Sequence, residues 1–180
     1  MTRIALVSPA DTTGERQQLL AQIQGAFGAT PNMFKAVANS TAALKSMWGS
    51  FGALGAGVIG AKLGEQIAVA IADRNECDYC LAAHTALGRK AGASAEEMSA
   101  AQAGQSADPK TAAALRFATA IVNNRAQIGD EDVAALRQAG FDDEAIVEIV
   151  AHVALNLFTN YVNVALRVPV DFPSVKLRAK

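Results

Sequence analysis

Apolar residues in this sequence recur at helical spacing, and no run alternates with the period of two that a half-buried strand would show. In "AKLGEQIAVAIAD", Leu63, Ile67 and Ile71 return every four residues, the pattern of a buried helix. Helix start and stop signals punctuate the rest. Thr12 and Glu15 are spaced as a capping box before Leu19, Leu20, Ile23 and Phe27. Thr30 precedes Pro31 as a cap with proline at the first helical position. Ser40 opens "STAALKSMWGSFGALG", which ends in glycines between Gly55 and Gly60. Further on, Arg89 and Lys90 fall in a last turn with Gly92 beyond it, and Ser94 with Glu97 makes a second capping box. Asp108 precedes Pro109, and Asp142 is flanked by Phe141 and Ile146 as a hydrophobic staple. The last helix is long and ends before "RVPVDFP". No Asn-Gly or Asp-Gly hairpin joins strand-like segments. The expected fold is all-α, a bundle of eight or so helices with short connections.

A chain of 180 residues is expected to form one domain over 1–180, large enough to bury a core without metal or disulfide support. It is 51% hydrophobic, much of that alanine, which favours close helix packing and leaves apolar surface for a subunit interface. A net charge of −1 offers no electrostatic footprint for nucleic acid or an anionic membrane. The N-terminal residues lack the apolar core of a secretion signal. The most apolar stretch, 145–170, carries Glu148, His152, three asparagines and Arg167, and reads as too polar to span a bilayer. These features predict a cytoplasmic protein whose thiols are kept reduced.

The only two cysteines lie in "NECDYCLAAH". If a helix starts at Asn75 or Glu76, Cys77 falls in its first turn, where unpaired N–H groups favour a thiolate. Cys80 and His84 then follow on the same face. A pair at this spacing can close a disulfide without unfolding the turn, and His84 is placed to take a proton from Cys80. A structural zinc site needs more ligands than this, since the chain's remaining histidine is His152 and no cysteine is left. No metal or cofactor is therefore expected, and redox chemistry outweighs both metal binding and simple packing. Glu65 stands out on an otherwise apolar helix. If that helix packs antiparallel on the next across "DRN", Glu65 returns beside His84 and completes a thiol–imidazole–carboxylate relay.

The order Glu65, Cys77, Cys80, His84, within Lys62 to Gly92, resembles the alkyl hydroperoxidase D (AhpD) family of the carboxymuconolactone decarboxylase superfamily. "TPNMFKAVANS" and "YVNVALRVPVDFP" resemble its peroxidase-related members, so the likeness extends over most of the chain. The resemblance implies an AhpD-like helical bundle that assembles as trimers or hexamers and reduces hydroperoxides. It implies that Cys80 attacks the peroxide, that Cys77 resolves the sulfenic acid to a disulfide, and that His84 and Glu65 relay protons. Electrons would come from a thiol or lipoyl-type reductant. The family's founding member has a second histidine just before the second cysteine; here that position is Tyr79, an auxiliary hydrogen-bond donor rather than a base at neutral pH. Two other readings remain. One is a cofactor-free decarboxylase or lactone-acting enzyme of the same superfamily, against which the cysteine pair argues. The other is a redox-sensing stress protein whose disulfide changes its assembly.

His152, Asn156, Asn160 and Asn163 form a polar stripe on the last helix, suited to a subunit interface or inter-helix network or, less so, to the redox pocket. Met47, Trp48 and Phe51 are expected in the core or an interface, with a hydrophobic wall for an organic peroxide as the alternative. "GALGAGVIG" follows no strand and is not a dinucleotide loop.

Overall fold

The computed structural model describes residues 1–178. Among them the chain is all-helical, as expected, with a short 3-10 turn (Pro9–Asp11) followed by nine α-helices and no strand. These are α1 (Gly14–Phe27), α2 (Asn32–Val37), α3 (Thr41–Gly55), α4 (Ala61–Arg74), α5 (Asp78–Lys90), α6 (Ala95–Gln102), α7 (Pro109–Asn124), α8 (Asp130–Gln138) and α9 (Asp143–Leu166).

Local sequence sets most of the boundaries. Ser40, Asp108 and Asp142 each accept a hydrogen bond from the backbone N–H three residues on, and Ser94 with Glu97 forms the expected reciprocal box. Two expected caps do not form. Thr12 instead donates its hydroxyl to the Pro9 carbonyl at 2.7 Å, closing the 3-10 turn, and Glu15 pairs with Lys45. Helix α1 consequently starts one residue later, behind Thr13. Thr30 donates to Gln24 Oε1 at 2.9 Å, so Pro31 takes the capping position, and Asp171 from the C-terminal segment accepts the Asn32 N–H at 2.8 Å. In both cases a tertiary partner displaces the local one.

Helix α4 is the hub, packed by α5, α6, α7 and α9. From Gly64 to Ala72 it is buried at every position except Glu65, which explains why its sequence is so nearly continuous in Ile, Ala and Val. Helix α5 turns back antiparallel through only three residues, Asn75 to Cys77, with Glu76 in the left-handed region (φ +53°). Helix α9 lies against α3, α4, α5 and α7. Contrary to the expectation from its polar residues, α9 is long and apolar enough to cross a membrane by length and mean hydropathy (1.4). Its inward face, with Asn156, Thr159, Asn160 and Asn163 all buried, makes it a core helix of the bundle.

Candidate functional site

The short α4–α5 connection dictates the site. Counting back from the turn, Glu65 lies one helix away from His84, and the His84 Nδ1–H donates to Glu65 Oε2 at 2.7 Å. That bond fixes the ring and leaves Nε2 as the nitrogen available to the cavity described below. Close approach of the two helices here depends on Gly88, one turn after His84. A Cβ at Gly88 would sit 3.3 Å from the Cβ of Glu65 and 2.5 Å from the methyl of Met98.

Cys77 is not in the first turn of α5 but is its N-cap. Its sulfur accepts the Cys80 backbone N–H at 3.2 Å, in the position that serine or aspartate usually fills. Cys80 lies one turn into the helix and is 2% exposed; Cys77 is wholly buried. The two thiols are free. Their acidities diverge. Burial pushes the Cys80 thiol up, but the hydrogen bond from Cys77, the charge on His84, and the amides of Asn163, which is hydrogen-bonded to the sulfur, and nearby Asn160 outweigh it, leaving it lowered to about 7. Cys77 moves upward because it gives its proton as a hydrogen bond to Cys80 and is desolvated besides. For His84 burial favours the neutral ring, but the carboxylate of Glu65, by charge and hydrogen bond, wins and raises its pKa.

Cys80, His84 and Tyr79 open on a small cavity of about 30 Å³, walled by Phe27, Pro31, Met33, Phe34, Ala83, Leu87 and Phe172. That volume admits a water-sized group. Cys77 does not line it. The Tyr79 hydroxyl accepts the Met33 N–H at 3.1 Å, its ring meets Phe172 edge-on at 5.8 Å, and burial pushes its phenol up. It therefore anchors α2 and the C-terminal segment over the thiols. Met47, Trp48 and Phe51 do not reach the cavity. Met47 is core, while Trp48 and Phe51 pack against Phe34 at 5.9 and 5.8 Å. A wider hollow of about 600 Å³, lined by Lys62, Gln66, Glu97 and Thr111 among others, has no thiol in its wall.

The polar stripe of α9 faces inward, as an inter-helix network. Asn163 Nδ2 donates to Cys80 Sγ at 3.2 Å, Asn75 Nδ2 donates to Asn160 Oδ1 at 2.9 Å, and Asn156 Nδ2 to the His152 carbonyl at 2.9 Å. The His152 ring packs on Gly64, where a Cβ would come within 3.1 Å of Cε1. Sequence reasoning missed Gly88, Asn75 and the aromatic wall of Phe27, Phe34 and Phe172. Gly88 alone carried a readable signal, being a small residue one turn beyond His84 on the same face.

Among the described residues no group of three or more His, Cys, Asp and Glu is placed to share a metal ion. The profile of the carboxymuconolactone decarboxylase family matches residues 41–123, the segment holding Glu65, Cys77, Cys80 and His84. No curated protein matches the chain. Among solved structures, the chain is similar to an uncharacterized peroxidase-related protein from Silicibacter sp. TM1040, at 27% identity and a TM-score of 0.82, covering 93% of this chain and 91% of that one. An AhpD-core, peroxidase-related protein from Ralstonia eutropha JMP134 superposes with a TM-score of 0.84 at 23% identity over 94% of this chain and 92% of that one. The debrominase Bmp8 does so with a TM-score of 0.79 at 21% identity over 95% and 93% respectively. Residues 41–123 thus match the carboxymuconolactone decarboxylase family model, and the chain around them has the helical fold of AhpD-like proteins.

Proposed function

We propose that this protein is a thiol-dependent hydroperoxide reductase acting through Cys80 and Cys77. One observation carries the reading: of the two thiols, the acidified one is also the one that opens on the apolar cavity beside His84. The Cys80 thiolate attacks the distal peroxide oxygen, the O–O bond breaks, and the leaving alkoxide takes a proton from His84, which Glu65 holds in place. This makes a sulfenic acid on Cys80 and releases an alcohol. The Cys77 thiol then displaces hydroxide from that sulfur. Its own proton completes a water molecule and the two sulfurs join in a disulfide. The peroxide gains the two electrons that the thiols lose, and an external dithiol, a lipoyl-type reductant by chemical class, restores them. The cytoplasm is the compartment that keeps such a pair reduced between turnovers.

The aromatic wall supports a second reading, since the fold is shared with a debrominase and a Cys-to-Ala variant of that protein has been solved with 2,3,4-tribromopyrrole. Here Cys80 would take bromine from a halogenated aromatic as a sulfenyl bromide while the ring carbon gains a proton. Cys77 would then expel bromide and form the same disulfide. Counting thiols in reduced protein before and after one equivalent of an organic hydroperoxide, or of a brominated pyrrole, separates the two. Loss of both thiols within seconds to the hydroperoxide is the expected result. Thiols that survive it but disappear with the brominated pyrrole would replace the first reading by the second.

The partner surface is a second copy of this chain. Val147, Val150, Ala154, Leu157, Tyr161 and Val164 fall at heptad spacing along the outer face of α9, and Val147 and Tyr161 are 67% and 60% exposed. Such a stripe is self-complementary and uncharged. Sedimentation of the wild type is expected to give a multiple of 18.7 kDa, and Val150→Glu with Tyr161→Glu to give the monomer. A wild type that is monomeric at micromolar concentration rules the interface out.

A further inference from the structure

Nothing in the relay described so far uses α9, yet α9 reaches the reacting sulfur. Asn163 is 3% exposed and its Nδ2–H donates to Cys80 Sγ at 3.2 Å. One turn earlier, Asn160 is wholly buried, and its Oδ1 is occupied by the Asn75 amide at 2.9 Å. Asn75 caps the C-terminus of α4 two residues before Cys77, so the Asn75–Asn160 bond ties α9 to the turn that carries the thiols. An uncharged amide suits this place. A cation would be costly to bury and would bind the thiolate too firmly to release its charge to oxygen, whereas an amide N–H donates without a net charge.

We propose that Asn163 is a further catalytic residue, the hydrogen-bond donor that holds Cys80 as a thiolate, and that the Asn75–Asn160 pair positions it by fixing α9 against the α4–α5 turn. The assignment rests on Cys80 as the attacking sulfur. The Asn163 hydrogen bond acts on the Cys80 thiol in the direction this role requires, lowering it. His84 supplies charge from within α5, and Asn163 supplies a directed donor from a separate helix, α9.

The test is the pH profile of Cys80 alkylation by iodoacetamide, resolved by peptide mass spectrometry, in wild type, Asn163→Leu, Asn163→Asp and Asn156→Leu. Both Asn163 variants are expected to move the midpoint upward and to slow alkylation at pH 7 by about tenfold. Asn163→Asp keeps the side-chain shape, so it decides the matter if Asn163→Leu does not fold. Asn156→Leu, on the same stripe but with no bond to sulfur, is expected to leave the midpoint where it is. An unmoved midpoint in Asn163→Asp, or an equal shift in Asn156→Leu, overturns the assignment. The assay contains no peroxide. Wild-type thiols inert to hydroperoxide would therefore sink the peroxidase reading alone, and an unmoved midpoint would sink the Asn163 assignment alone.

Discussion

Cys80→Ser is expected to abolish hydroperoxide reduction, by about a thousandfold or more, whereas Cys77→Ser should complete one oxidation and stop. The asymmetry follows from geometry rather than from the thiols themselves, one the N-cap of α5 and the other in its first turn. Cys80 lines the cavity and is the acidified partner; Cys77 is wholly buried, absent from the cavity wall and shifted the other way. A serine at 77 is a good helix cap, so Cys77→Ser should fold with α5 intact and lack only the sulfur that resolves. A dimedone-type trap should then label Cys80 as sulfenic acid in Cys77→Ser and label nothing in Cys80→Ser. The reverse pattern, with label on Cys77, would make the N-cap sulfur the nucleophile and sink the assigned order.

Glu65→Gln should have the next largest effect, visible as a pH displacement rather than a flat loss. In the wild type, peroxide consumption should climb with pH through about 7, as Cys80 ionises. Glu65 is what raises the His84 pKa against burial. Without it burial shifts the imidazole toward the neutral form, and Cys80 loses positive charge that lowers its thiol. The thiol pKa then rises toward its ordinary value of 9.0, so at pH 7 less of it is thiolate. An opposite charge in contact shifts a pKa by 1–3 units, so the rate at pH 7 should fall by about tenfold or more and recover near pH 9. Stopped-flow rates across this range check it. A variant profile that superimposes on the wild type would show that Glu65 does not set the charge of His84.

What could be read before the structure, and what could not, divides by range. Side-chain caps that bond to a backbone N–H three residues away, Ser40, Ser94, Asp108 and Asp142, were legible because donor and acceptor lie in one short segment. Thr12 and Thr30 misled because Pro9 and Gln24 offered better partners. The Glu65–His84 contact was legible since both helices flank a turn too short to allow another arrangement. The cavity wall was not: Phe27, Phe34 and Phe172 come from α1, α2 and the C-terminal segment, and nothing local distinguishes them from Trp48 or Phe51, which pack on Phe34 without lining the cavity. The stripe on α9 was visible as a pattern, but its direction, inward to Cys80, depends on how α9 lies across the α4–α5 pair.

The capping role of Cys77 sets the voltage of the couple. The Cys77 sulfur accepts the Cys80 N–H while its own proton points to Cys80 Sγ, so if closing the disulfide draws that sulfur off the N–H, the cap favours the dithiol state. A cap is worth about 1 kcal/mol, and for a two-electron couple 1.4 kcal/mol corresponds to about 30 mV. The cap therefore moves the reduction potential roughly 20 mV upward, and stabilisation of the Cys80 thiolate moves it in the same direction. The disulfide of this protein should consequently be an eager electron acceptor, one that a low-potential dithiol reduces readily by giving it two electrons, restoring the thiols for the next oxidant.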